Sequence, residues 1–274
     1  GTMTSIRSVI RHGGRATHEK DSVCDRKERV CMAPPVSMDS AVERAIAAFA
    51  AGEPVMVFDS DFRERETDLL WPADAATPLV MRTLRNDCGG LLFLAVGNEI
   101  GEMFGLPWLQ DIHTHPVLVE ENPVLGVLIT DDLQYDNRSA FTLSLNHRDT
   151  YTGITDRDRA LTTRRFGELA QELMASNADG RTARTALGAE FRTPGHIPVC
   201  RESPMGLRSR QGHTELAVSI ARLSGRPPCT IGAEMLEPDG DGALSVGAAR
   251  EYAEKHGIPM ITGGEILEAM GIEE

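Results

Sequence analysis

From Ser37 onward, apolar residues recur at periods that assign elements in turn. Ser40-Ala-Val-Glu-Arg-Ala-Ile-Ala-Ala-Phe-Ala-Ala carries its apolar residues on one helical face, and Gly52 predicts the stop. Val55–Phe58 is a four-residue apolar run of the length of a short buried strand, after which the chain turns abruptly polar. Thr77-Pro78 supplies an N-cap and a first helical residue, predicting a helix to about Asp87, ended by Gly89-Gly90. Leu91–Val96 reads as a second buried strand. Phe141-Thr-Leu-Ser-Leu-Asn146 alternates strictly, the pattern of a strand with one covered face. A long helix is expected after Asp156, another from near Gly212, then a strand over Thr230–Glu234. A helix over Val246–His256, closed by Gly257, and a short helix from Gly264 finish the chain. Helices and strands alternate with similar weight. The pattern therefore predicts a single α+β (α/β-like) domain over residues 36–274, a mixed sheet covered by helices in three α-β-α layers.

Residues 1–35 read differently. Arg11–Arg29 mixes Gly, His, Arg, Lys, Glu and Asp with almost no apolar period, and Pro34-Pro35 closes it like a hinge. This predicts a flexible arm, with a part in oligomer contacts as the other reading. The leading Gly-Thr reads as a tag remnant, and no apolar signal segment follows it.

Composition narrows the class. Of 274 residues, 41% are apolar and 25% charged, the balance of a soluble globular chain. Lys and Arg number 28 against 41 acidic residues, a formal charge of −13. No surplus of cations exists to neutralise polyanionic nucleic acid or lipid, although two or three placed donors suffice for a small anion. The longest apolar run, Gly89–Gly97, is about half a bilayer span. Five scattered cysteines without a CxxC pair argue against a disulfide scaffold or structural zinc, and for a reducing cytoplasm.

Several segments could carry chemistry. Asp59-Ser-Asp-Phe-Arg-Glu-Arg-Glu-Thr-Asp68 places five carboxylates in ten residues directly after a buried strand. Packed carboxylates repel unless protons or a hard cation such as Mg²⁺ relieve the field. The same stretch also reads as a solvated charged loop. Arg208-Ser-Arg-Gln-Gly-His-Thr-Glu215 opens a helix and combines a guanidinium fork, a glycine and a hydroxyl, a set suited to phosphate or to plain capping. Arg192-Thr-Pro-Gly-His196 reads as a turn fixing a histidine on a stiff corner. Thr152-Gly-Ile-Thr-Asp-Arg-Asp-Arg159 suits an anion or a helix cap. His113 and His115 share one face of an extended segment, a weak metal pattern with no carboxylate at fixed spacing. Glu234 ends an apolar strand, where it is either paired or emerging into solvent.

Set and order together resemble one family, 3,4-dihydroxy-2-butanone 4-phosphate synthase. The matching segments are Phe58–Asp68, Phe141–Asn146, Tyr151–Arg159, Phe191–His196, Arg210–Glu215 and Ala233-Glu234, from about Ser37 to the C-terminus, with spacing nearest the archaeal branch. The resemblance implies a metal-dependent lyase converting D-ribulose 5-phosphate to L-3,4-dihydroxy-2-butanone 4-phosphate and formate in riboflavin biosynthesis. It implies Glu64 and His213 as ligands of Mg²⁺ or Mn²⁺, with two divalent ions per site. Arg63, Asp68, Thr152, Arg210, Gly212 and Thr214 are implied as substrate contacts, and Asp59, Glu66, His196 and Glu234 as residues needed for activity. A cytoplasmic homodimer with sites at the subunit interface is implied too. No GTP cyclohydrolase II half, as found in bifunctional relatives, is expected. Two departures stand out: Phe93 occupies the position where relatives usually carry a cysteine, which Cys88 is not expected to replace, and the N-terminal arm has no counterpart.

Overall fold

A computed structural model describes residues 40–129, 132–134 and 136–273; the expected N-terminal arm lies outside the described residues. Helix α1 (Ala41–Ala50) starts on a full capping box, with the Ser40 hydroxyl accepting from the Glu43 amide and the Glu43 carboxylate accepting from the Ser40 amide. Strand β1 (Val55–Phe58) follows, then β2 (Thr67–Pro72), α2 (Pro78–Thr83), β3 (Phe93–Val96) and α3 (Asn98–Phe104). Three short helices, α4 (Leu109–His113), α5 (Pro116–Glu121) and α6 (Val124–Leu128), lead towards β4 (Phe141–His147). The chain continues with α7 (Asp156–Ala175), α8 (Gly180–Glu190), β5 (Phe191–Arg201), α9 (His213–Leu223), β6 (Cys229–Glu234), α10 (Val246–His256), β7 (Met260–Thr262) and α11 (Gly263–Ala269). Among the described residues, no helix is long and apolar enough to cross a membrane.

The seven strands form one mixed sheet in the order β4-β5-β3-β6-β2-β1-β7. β3 pairs parallel with β5 and β1 with β7, while the remaining pairs are antiparallel. Alternation along the strands feeds two separate cores. Met56, Leu69, Trp71, Leu94, Val199 and Ile231 pack with α2, α7 and α10 residues on one face. Val55, Val57, Leu70, Phe93, Ala95 and Cys200 pack with α1, α9 and α11 residues on the other. Both faces of the sheet are thus covered, giving the expected three layers, and the central strands read as continuous apolar runs for that reason.

Several local expectations need correcting. Thr67–Pro72 is a fully buried strand rather than the tail of a charged loop, so the acidic segment is the connection of a β1–β2 hairpin. Arg192–His196 is not a free turn. It lies inside β5, where the register against β4 jumps from Leu145↔Ile197 to Asn146↔Arg192, leaving residues 193–196 as a bulge that includes a cis Thr193–Pro194 bond. His113 ends α4 and His115 precedes α5, so the two imidazoles do not share an extended face. The α2 region runs on as a wide turn over Leu84–Cys88 and closes at Gly89 in the left-handed conformation.

Candidate active site

The acidic hairpin is organised by its own first carboxylate. Asp59 is buried, and its Oδ2 accepts from the Glu64 amide at 2.8 Å and its Oδ1 from the Glu66 amide at 2.9 Å. Arg65 takes a left-handed backbone (φ 62°) between them. This arrangement turns Glu64 and Glu66 towards α9, whose first residue is His213.

Carboxylates meet His213 on both sides. Asp68 Oδ2 lies 2.6 Å from Nδ1 and accepts its hydrogen bond, while Glu64 Oε2 lies 2.9 Å from Nε2 and Glu66 Oε2 3.9 Å from it. Asp68 is buried on β2, and His213 is almost enclosed. Burial alone would lower the His213 pKa, but Asp68 and Glu64 together hold it well above the ordinary histidine value. The contact with His213 keeps Glu64 below the usual carboxylate range. Burial pushes Glu66 up, and the imidazole only partly opposes this.

Across the β2–β6 ladder, Asp68 stands opposite Glu234. Glu234 Oε2 accepts from the Leu91 amide at 2.7 Å, which replaces strand pairing there and delays β3 to Phe93. A Cβ at Gly90 would come within 2.5 Å of both the Glu234 carbonyl and its Oε2, so only glycine admits this approach. Desolvation, and then the charge of Asp68, push Glu234 up to about 7, the range of a group that exchanges protons near neutrality.

Beside these groups opens a cavity of about 280 Å³, lined by Glu64, His213, Thr214 and Glu234 with Phe93 and Arg210 among others. Arg210 donates Nη2 to Asp136 at 2.8 Å and Nη1 to buried Glu215 at 2.5 Å. Arg63 also reaches Asp136, at 2.8 Å. Gly212 caps α9, and a Cβ there would strike the Arg210 guanidinium, so glycine is what lets Arg210 fold back. Thr214 is buried against the same space.

Two expected site residues stand elsewhere in the chain. His196 is exposed on the β5 bulge, its amide donating to Asn146 Oδ1 at 2.8 Å and its Nδ1 3.1 Å from Asn146 Nδ2. Thr152 is exposed on the loop before α7, held by Asp158, which accepts from the Thr152 and Gly153 amides. Gly153 abuts Asn146, where a Cβ would come within 2.3 Å of Nδ2, so Thr152 and His196 belong to one second cluster. Neither lines the cavity.

Among the cavity residues the sequence reading passed over, three make notable contacts. Asp136 bridges the two arginines, Arg138 lies 3.5 Å above the Trp108 ring, and Cys200 reaches in from β5. Cys88, as expected, does not line the cavity and packs in the opposite core with Ala233 and Met235. Burial pushes the Cys200 thiol up to about 12, so it is protonated and unreactive.

The residues fit a divalent cation. His213 Nε2 is buried yet makes no aligned hydrogen bond, and ligand atoms of Asp59, Glu64 and His213 lie within 4.8 Å of one another. An imidazole nitrogen backed by a carboxylate on its other nitrogen is the arrangement of a metal-bound histidine.

Comparison with known proteins gives the family. The family model for 3,4-dihydroxy-2-butanone 4-phosphate synthase matches residues 43–269. The chain belongs to the 3,4-dihydroxy-2-butanone 4-phosphate synthase family. The synthase of Methanosarcina mazei is 40% identical over 230 residues, 83% of this chain and 90% of that protein. That of Archaeoglobus fulgidus is 40% identical over 227 residues, covering 82% and 92%. A crystal structure of a synthase of this family in complex with two magnesium ions has a TM-score of 0.63 at 26% identity, covering 85% of this chain and 97% of that one. The α+β sheet and its helical layers are therefore those of the synthase family, and the chain is an enzyme of that family.

Proposed function

We propose that the cavity converts D-ribulose 5-phosphate to L-3,4-dihydroxy-2-butanone 4-phosphate and formate, with Mg²⁺ or Mn²⁺, in riboflavin biosynthesis. The observation that carries this reading is the convergence of Glu64 and His213 from positions far apart in sequence, 2.9 Å apart beside an arginine-lined cavity. Glu64 and His213, with Asp59 behind them, would hold the metal, and two ions per site are proposed from the related magnesium complex. When bound, the cation supplies Lewis-acid polarisation of the ketose oxygens, which acidifies the protons beside the carbonyl.

The protein groups then divide the work. Asp68 fixes the His213 ring so that Nε2 faces Glu64, and its second oxygen, buried without a partner, remains available to a substrate hydroxyl. Glu234, poised near neutrality beside the cavity, can take a proton from substrate and return it. Glu66 is a second carboxylate in reach of the same space. Arg210 and Thr214 of the cavity, with Arg63 reaching Asp136 beside it and the α9 amides beyond Gly212, suit the phosphate. Phe93 narrows the apolar side of the cavity.

His196 and Thr152 complete the proposal only across a homodimer, where they would enter the partner's cavity. Their exposure and their position outside this chain's cavity support that arrangement. The test is formate release from ribulose 5-phosphate, abolished by EDTA and restored by Mg²⁺. Binding of the sugar phosphate without formate release would favour a catalytically impaired binding homologue, and turnover only of another sugar phosphate a metal-dependent enzyme on that related substrate.

A further inference from the structure

Arg210 of the cavity, and Arg63 beside it, already hold an anion of the protein's own. Asp136 Oδ2 accepts from Arg63 Nη2 and from Arg210 Nη2, at 2.8 Å each. Arg210 also meets Glu215. Carboxylates of the protein thus already occupy the guanidiniums at the place where, on the reading above, a phosphate dianion binds.

The two carboxylates are not equivalent. Glu215 is completely buried on α9 and also accepts from the Ser203 amide at 2.9 Å, so it is part of the frame. Asp136 comes from the connection between α6 and β4, and its described neighbours lie in no helix or strand. Its side chain still meets solvent at the mouth of the cavity. Arg210 meanwhile keeps a buried Nε donor with no acceptor, so the fork is not saturated by the carboxylates it holds.

We infer that Asp136 is an internal surrogate for the substrate phosphate, which holds Arg63 and Arg210 at anion-binding spacing until a phosphate displaces it. A phosphate dianion offers more charge and more acceptor oxygens than one carboxylate, and so wins the shared donors. A neutral hydroxyl does not. The carboxylate weakens every incoming anion by the population of the closed arrangement.

The inference rests on the sugar-phosphate reading of the cavity, and the experiment separates the two. Inorganic phosphate is titrated calorimetrically into the full chain in Mg²⁺ buffer, for wild type, Asp136→Asn, Asp136→Ala and Arg210→Ala. Both Asp136 variants are expected to bind phosphate at least about fivefold more tightly than wild type. The KM for ribulose 5-phosphate is expected to fall in the same two proteins. Asparagine keeps the shape and alanine removes it, so a gain shared by both belongs to the lost charge. If neither variant gains while Arg210→Ala weakens binding, the surrogate role is overturned and the phosphate site stands. If Arg210→Ala leaves phosphate binding unchanged, the site reading falls and the surrogate with it. Phosphate binding too weak to measure in the Asp136 variants also overturns the surrogate.

Discussion

Two histidines of this chain stand in opposite settings. His213 is enclosed at the start of α9, with a carboxylate on each ring nitrogen. His196 is exposed on the β5 bulge and is oriented by one neutral side chain, Asn146. The first imidazole sits in a polar network that the fold assembles within one chain. The second is aimed but not enclosed, near the sheet edge that β4 forms. Building a charged network inside a protein demands partners for its members, and the His213 cluster leaves His213 Nε2 and Asp68 Oδ1 without one, as a site that awaits a ligand would. The His196 cluster leaves its imidazole outward, which suits the role across a homodimer proposed above.

The strongest way to break the comparison is to remove the enclosed side. Glu64→Ala is expected to lower formate release by at least about a thousandfold while the far-UV circular dichroism stays unchanged. Turnover close to wild type would place the cation site elsewhere. A smaller and more specific effect sharpens the outward side. His213→Ala and His196→Ala chains, each inactive alone, are expected to recover about a quarter of wild-type activity when unfolded and refolded together in equal amounts, because half of the dimers are mixed and each mixed dimer carries one intact site. No recovery would place His196 in the cavity of its own chain or outside the reaction.

The smallest effect concerns protons. Between the ordinary carboxylate range and about 7, the folded chain retains a proton on Glu234 that the unfolded chain has lost. Stability must therefore fall as pH rises through that window. The raised pKa of His213 adds a loss of the same sign at higher pH, as the proton it keeps when folded is given up. In metal-free buffer the melting temperature is expected to drop between pH 5 and 7.5 by roughly 2–4 °C more in wild type than in Glu234→Gln. Equal slopes would show that Glu234 titrates as an ordinary surface carboxylate.

Much of this arrangement was legible along the chain, and the gaps have physical causes. The Ser40, Thr77 and Gly257 boundaries follow from local capping chemistry and appear as read. The acidic loop and the Arg210–Glu215 segment were visible as dense local patterns. β2 was hidden because Asp68, a charged residue, sits in a buried strand only by virtue of His213, 145 residues away. β5 was hidden because Pro194-Gly195 signals a corner, whereas pairing with β4 resumes on either side of the bulge. Asp136 gave no local signal at all: a single aspartate in a polar stretch acquires meaning only from arginines 73 and 74 residues distant on either side.

The hairpin between β1 and β2 imposes a counting rule on how such a sequence can change. Asp68 and Leu70 face α9, while Leu69 and Trp71 face the opposite core. Adding or deleting one residue within β2 would swap these sides, sending the carboxylate into oil and a leucine towards the histidine. Lengthening the loop itself would detach the Glu64 and Glu66 amides from Asp59. This stretch should therefore tolerate substitution far better than insertion, and descendants that vary in length should do so elsewhere in the chain.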